Sequence, residues 1–148
     1  MNHRLTHPFA AIESRAQAIG LSRWTVFGFA LWAAVLLLQG LLVWNGQGTE
    51  PVQYRDGTTG LAVFMALIAA AAAGFQWRKP NRVLAAFGLG WSLYELSSLS
   101  VGLLVGHPMA MGGLPAWVGA VTAGALVVCA IMHIGGLRGT SALMRDNI

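Results

Sequence analysis

Four long apolar stretches constrain this sequence more than any other feature. They cover residues 24–44, 60–77, 83–106 and 116–137, and three of the four contain no Asp, Glu, Lys or Arg. About 20 apolar residues in an α-helix are needed to cross roughly 30 Å of hydrocarbon. The sequence therefore predicts an all-α integral membrane protein with four transmembrane helices.

The composition excludes a soluble globular domain. The chain is 56% hydrophobic and only 9% charged, whereas a soluble domain carries about 25% charged residues. The connections between the stretches are too short to form a soluble domain, so we expect any function to reside in the spans. The single cysteine, Cys129, rules out an internal disulfide.

The basic residues predict the orientation in the membrane. They collect in the N-terminal segment, in the connection between the second and third stretches, and in the C-terminal tail, as Arg4, Arg15, Arg23, Arg78, Lys79, Arg82, Arg138 and Arg145. The first external connection has Arg55 against two acids, and the third has no formal charge. By the positive-inside rule, both termini are cytoplasmic. We expect a multi-pass protein of the plasma membrane, of the bacterial inner-membrane type.

The sequence divides into an N-terminal interfacial segment, 1–20, a transmembrane domain, 21–137, and a cytoplasmic tail, 138–148. Pro8 suits the first position of a short helix over 8–19, and Gly20 suits the residue just past its end. Residues 45–59 read as an irregular external loop. The very short second connection predicts that the second and third spans are antiparallel neighbours.

Small residues recur every four positions in three spans. Such faces let helix backbones approach closely and gain dispersion contacts that lipid does not replace. The pattern predicts contacts with partner membrane chains or with copies of this chain, and it favours a central position for the second span. The residues are Ala66, Ala70, Gly74, Ser98, Gly102, Gly119 and Ala123.

Glu95 is the one acid inside an apolar stretch. A carboxylate at mid-membrane costs several kcal/mol, so we expect Glu95 to be neutral or paired. No Lys or Arg lies in any span, and therefore the chain offers no deep cationic partner. At helical spacing Glu95 shares a small, polar face with Gly88, Ser92 and Ser98.

The candidate polar site contains Glu95 with Ser92, Ser98 and Tyr94 on its own span, and Gln39 and Thr122 from the first and fourth spans. Three interpretations remain open. The acid is held by hydrogen bonds between helices, or it contacts a partner chain or cofactor, or it is a proton or cation site in a transport path.

Two further groups are candidate ligands. His107, Met109 and Met111 offer the imidazole and thioether groups that suit copper(I). His133 is a candidate cofactor ligand, for haem or a pigment, although its expected place near the inner end of the fourth span favours an interfacial histidine. His107 and His133 lie at opposite ends of the predicted bundle and therefore cannot hold one haem together.

Enzyme chemistry finds no support, because the sequence has no nucleophile–base pair and no paired carboxylates. The scattered basic residues do not predict a nucleic-acid partner. The leading hypothesis is a small non-catalytic membrane subunit that packs with partner chains or with itself. The alternatives are an oligomeric proton- or cation-coupled transporter or channel that uses Glu95, and a cofactor-binding subunit of a membrane redox complex.

Overall fold

The computed structural model describes residues 7–9, 11–49, 51–105 and 113–145. All regular secondary structure in these ranges is helical, which confirms the predicted all-α fold. The helices are α1 (Arg15–Ser22), α2 (Trp24–Trp44), α3 (Val52–Arg78), α4 (Arg82–Val105) and α5 (Ala116–Met144).

Three helical segments are long and apolar enough to cross a membrane within the described ranges. They are Arg15–Trp44, which joins α1 and α2 through Arg23, then Val52–Arg78 and Ala116–Met144. Helix α4 is long enough at 24 residues, but it is not among them. Glu95 and the serines of this helix lower its hydropathy.

Two helices extend beyond their apolar stretches. The α3 helix begins at Val52 and not at residue 60, directly after Pro51 with φ −55°, a residue type that suits a helix start. The prediction of an irregular loop was therefore wrong for residues 52–59. The α5 helix continues past residue 137 to Met144, because its last turns pack against α1. Hydropathy locates the apolar part of a helix, whereas the helix itself can continue into polar residues on either side.

The N-terminal helix starts later than Pro8. Ser14 caps α1, with Gln17 N donating to Ser14 Oγ at 3.3 Å and Ser14 N donating to Gln17 Oε1 at 3.2 Å. This capping box fixes the first turn. Gly20 is buried inside α1 and does not end it. The helix packs on α5, since a Cβ added at Gly139 would lie 2.6 Å from Ala18 O.

Helices α2 and α5 form the centre of the bundle. Helix α2 packs against α3 on one side and α5 on the other, and α5 also packs against α4 and α1. Among the described residues, α3 and α4 do not form a packed pair, although residues 79–81 alone separate them. The predictions of a central second span and of adjacent second and third spans were therefore wrong. A short connection brings two helix ends together but does not align their axes.

The contact between α2 and α3 depends on alanines. Ala62, Ala66, Ala69 and Ala73 are buried on α3. The last three cluster with the larger side chains Phe29, Trp32 and Leu36 of α2. A Cβ added at Gly40 of α2 would lie 3.1 Å from Ala62 Cβ. Of the predicted small-residue face on this helix, Ala66 is buried, whereas Ala70 and Gly74 are exposed.

Candidate functional site

Glu95 lies on the face of α4 that also carries Gly88 and Ser92. Gly88 and Ser92 are buried, whereas Glu95 is half-buried. Ser92 Oγ donates to Gly88 O at 2.8 Å, within its own helix, and so it does not serve the carboxylate. No side chain within the described ranges donates a hydrogen bond to Glu95.

Gln39 and Thr122 pair with each other and not with Glu95. Gln39 Nε2 donates to Thr122 Oγ1 at 2.7 Å. The bond connects α2 with α5 and satisfies a buried amide. Of the polar residues that the sequence selects, the structure joins these two by a hydrogen bond, and neither of them bonds to Glu95.

The part of α4 that follows Glu95 is more open than the part before it. Among the positions whose burial is described, the buried residues Ala85, Gly88 and Ser92 all precede Glu95. Beyond it, Leu96, Leu99 and Gly102 are half-buried, whereas Ser98 is exposed and Leu104 is 86% exposed. Glu95 therefore lies where the burial of α4 begins to decrease.

His133 is buried between helices, and its predicted depth near the inner end of the fourth span stays a prediction. It is only 1% exposed, and its ring meets Phe29 edge-on with centroids 4.7 Å apart. A Cβ added at Gly88 would lie 2.6 Å from His133 Nδ1, and one at Gly28 would lie 3.0 Å from Nε2. Two glycines, one on α2 and one on α4, thus make the space that the imidazole fills.

The neighbours of His133 do not fit a haem or a pigment. Both ring nitrogens lie against glycine backbone, so an iron or magnesium ion bound there would require the helices to separate. Nδ1 is buried and has no hydrogen-bond partner in the part of the chain that the structure describes. One turn away, Cys129 Sγ donates to Gly28 O at 3.3 Å, which ties α5 to α2 at the same crossing.

The structure describes no cluster of three or more His, Cys, Asp or Glu side chains able to hold a metal, in the ranges searched. His107, Met109 and Met111 lie outside the described residues. The copper site therefore stays a prediction.

The small residues predicted to mediate packing on α5 are buried to different extents. Gly119 is buried and Ala123 is half-buried on α5. Sequence reasoning missed the tightest contacts of this helix, at Gly135, Gly136 and Gly139. A Cβ at Gly136 would lie 2.8 Å from Thr25 Cβ, and one at Gly135 would lie 3.1 Å from Pro8 Cβ. The four-residue spacing of Gly135 and Gly139 was the available signal.

The site consists of one packed polar residue, His133, and one half-buried acid, Glu95, which has no hydrogen-bond partner among the described residues. No other protein supplies a function by similarity. Comparison of the chain with protein-family models, curated proteins and solved structures finds no match.

Proposed function

We propose that this chain is a small, non-catalytic, multi-pass membrane subunit. Helix α4 binds a transmembrane helix of a partner, either another membrane protein or a second copy of the chain. The observation that carries the proposal is Glu95, which is half-buried where the burial of α4 begins to decrease and has no hydrogen-bond partner among the described residues.

The proposal includes a placement in the membrane. Three segments meet the length and hydropathy needed to cross it, and α4 is the fourth span. The basic end of the bundle faces the cytoplasm, with both termini, in a plasma membrane of the bacterial inner-membrane type. The position of Arg23 over the Trp77 ring, 4.7 Å from its centroid, supports a common end for α1 and α3.

A partner helix would lower the free-energy cost of placing the Glu95 carboxyl group in the membrane without a hydrogen bond. A carboxyl group in hydrocarbon is costly unless it is hydrogen-bonded. Two serines on the open part of α4 do not need a hydrogen bond from a partner. The hydroxyl groups of Ser97 and Ser100 donate to Leu93 O and Leu96 O at 2.8 Å each. This part of α4 can therefore pack against another helix through small side chains and offer it Glu95 as the polar contact.

Native mass spectrometry after extraction in mild detergent tests the proposal. The wild-type chain is expected at a mass above that of one chain. Glu95→Gln is expected to keep the assembly, because the amide retains the hydrogen bonds, and Glu95→Leu is expected to give a folded single chain. Asp56→Asn is the control, since it removes an exposed acid at the start of α3. A wild-type monomer, or an unchanged assembly in Glu95→Leu, would overturn the proposal.

A second candidate, a proton- or cation-coupled transporter, is favoured by one observation. His133 adds a second titratable group to the interior of the apolar helices. Gly88 marks its level on α4, and Glu95 follows seven residues later, about 10 Å along the helix. In proteoliposomes, this candidate requires that Glu95→Gln assembles normally but loses pH-driven flux. Equal flux in both proteins would reject it.

A further inference from the structure

The connection between α3 and α4 is the most basic segment of the chain. Arg78, Lys79 and Arg82 lie within five residues, and all three are exposed. None of them forms an ion pair among the described residues. We name residues 78–82 the basic turn.

A fourth cation comes to this end of the bundle from another element. Arg23, between α1 and α2, places its guanidinium 4.7 Å from the centroid of the Trp77 ring. A cation–π contact of this kind holds the arginine in position. Trp77 itself is exposed, and indole rings of transmembrane helices prefer the depth of the lipid headgroups.

Hydrogen bonds hold the basic turn in one geometry. Asn81 N donates to Gln76 Oε1 at 3.0 Å, and Gln76 Nε2 donates to Ser22 O at 3.4 Å. Asn81 Oδ1 accepts from Val83 N at 2.7 Å and so caps the start of α4. The turn is thus connected to the end of α1 and to α3, and its cations are presented beside the positive end of the α4 dipole.

The surface beside the turn is apolar. Helices α3 and α4 are joined by residues 79–81 yet do not form a packed pair within the described ranges. Phe75, Val83 and Phe87 are exposed within about two turns of the connection. Cations at the end of two helices with exposed apolar side chains complement a molecule that has an anionic head and hydrocarbon chains.

We propose that the basic turn binds the phosphate of an anionic phospholipid, whose acyl chains lie along α3 and α4. Arg78, Lys79 and Arg82 contact the phosphate, and Arg23 adds charge beside it. The site rests on the membrane placement proposed above and is independent of the partner helix at Glu95. A zwitterionic lipid binds more weakly, because its ammonium group faces the same cations.

Titration of the delipidated protein with dioleoyl-phosphatidylglycerol, followed by native mass spectrometry of the single-chain species, tests the site. Dioleoyl-phosphatidylcholine is the lipid control. Arg78→Gln combined with Arg82→Gln is compared with Arg15→Gln combined with Arg145→Gln, which removes the same charge from two other exposed arginines. Since each basic residue near an anionic lipid surface contributes about 1 kcal/mol, the first pair is expected to weaken phosphatidylglycerol binding roughly tenfold or more.

The expected result is phosphatidylglycerol binding that exceeds phosphatidylcholine binding and falls in the 78/82 variant alone. Equal binding of the two lipids, or an equal loss in both variants, would overturn the proposal. Displacement of the lipid by equimolar inorganic phosphate would also overturn it, because the site would then recognise a soluble anion. Protein recovered in the soluble fraction without detergent would instead refute the membrane placement.

Discussion

His133 and Glu95 are the histidine and the acid that sequence reasoning selected among the apolar helices, and their surroundings differ. His133 is 1% exposed and is enclosed by Phe29 and two glycines on neighbouring helices. Glu95 is half-buried, and no described neighbour bonds to it. Residues of three helices meet at His133, whereas Glu95 lies on α4 where the burial of that helix decreases.

The difference indicates which of the two residues has its surroundings filled by the chain itself. Around His133 the backbone itself is adapted, because Gly28 and Gly88 leave the volume that the imidazole occupies. Around Glu95 the described chain provides no such complement. We therefore infer that His133 stabilises contacts within the chain and that Glu95 contributes to contacts outside it.

The largest expected effect is at Gly88. Gly88→Val would force branched carbon atoms into the imidazole, and overpacking of this kind costs about 3 kcal/mol. Gly90→Val is the control on the same helix, because a Cβ at Gly90 meets nothing within 4 Å. The free energy of unfolding, measured by SDS titration in mixed micelles, should fall for the first variant alone. Equal losses would mean that His133 is not packed against α4.

The next effect distinguishes the packed and open sides of α3. Ala69 is buried against α2 at 0% exposure, whereas its neighbour Ala70 is exposed. Ala69→Leu is expected to lower the free energy of unfolding by about 2 kcal/mol. Ala70→Leu should change it by less than about 0.5 kcal/mol. If Ala70→Leu lowered the free energy of unfolding more than Ala69→Leu, α3 would pack through the small-residue face predicted from the sequence, which contains Ala70.

Hydropathy predicted most of the helical structure but not the pairing of the helices. The α2 helix has the predicted limits, 24–44, because apolar composition and helix coincide there. The α3 helix starts eight residues early, and α5 ends seven residues late. The pairing of helices depends on which small residues contact each other across two helices. One sequence offers many possible pairs of this kind and does not select among them.

The burial of His133 could not be predicted from its position in the sequence. It depends on Gly28 and Gly88, which lie far away in the sequence and leave the volume that the imidazole fills. Glu95 was easier to select, because a lone acid in an apolar run is conspicuous in sequence, and its role stays a prediction. Its expected contacts were not found, since Gln39 and Thr122 satisfy each other.

A smaller effect is expected for the Gln39–Thr122 bond. Hydrogen bonds between membrane helices contribute on average about 0.6 kcal/mol in double-mutant cycles. Gln39→Ala, Thr122→Ala and the double variant should therefore show a coupling near this value in the SDS titration. A coupling energy indistinguishable from zero would mean that the two side chains do not meet, and the antiparallel register of α2 and α5 would need revision.

The smallest effect on stability is expected at Glu95. Because no described residue bonds to its carboxyl group, Glu95→Leu should leave the free energy of unfolding of the single chain within about 0.5 kcal/mol of the wild-type value. His133→Leu, the matched change at the packed position, should lower it by more than 1 kcal/mol. A large loss in Glu95→Leu would place an essential contact of Glu95 inside the chain.

The most direct test of the central claim is photocrosslinking in intact membranes. A photoreactive side chain at position 98 lies about one turn beyond Glu95 on the open part of α4, and one at position 71 lies on the exposed side of α3. The account predicts a protein adduct of defined mass at position 98, lost on Glu95→Leu, and lipid adducts alone at position 71. Lipid adducts alone at both positions would contradict it.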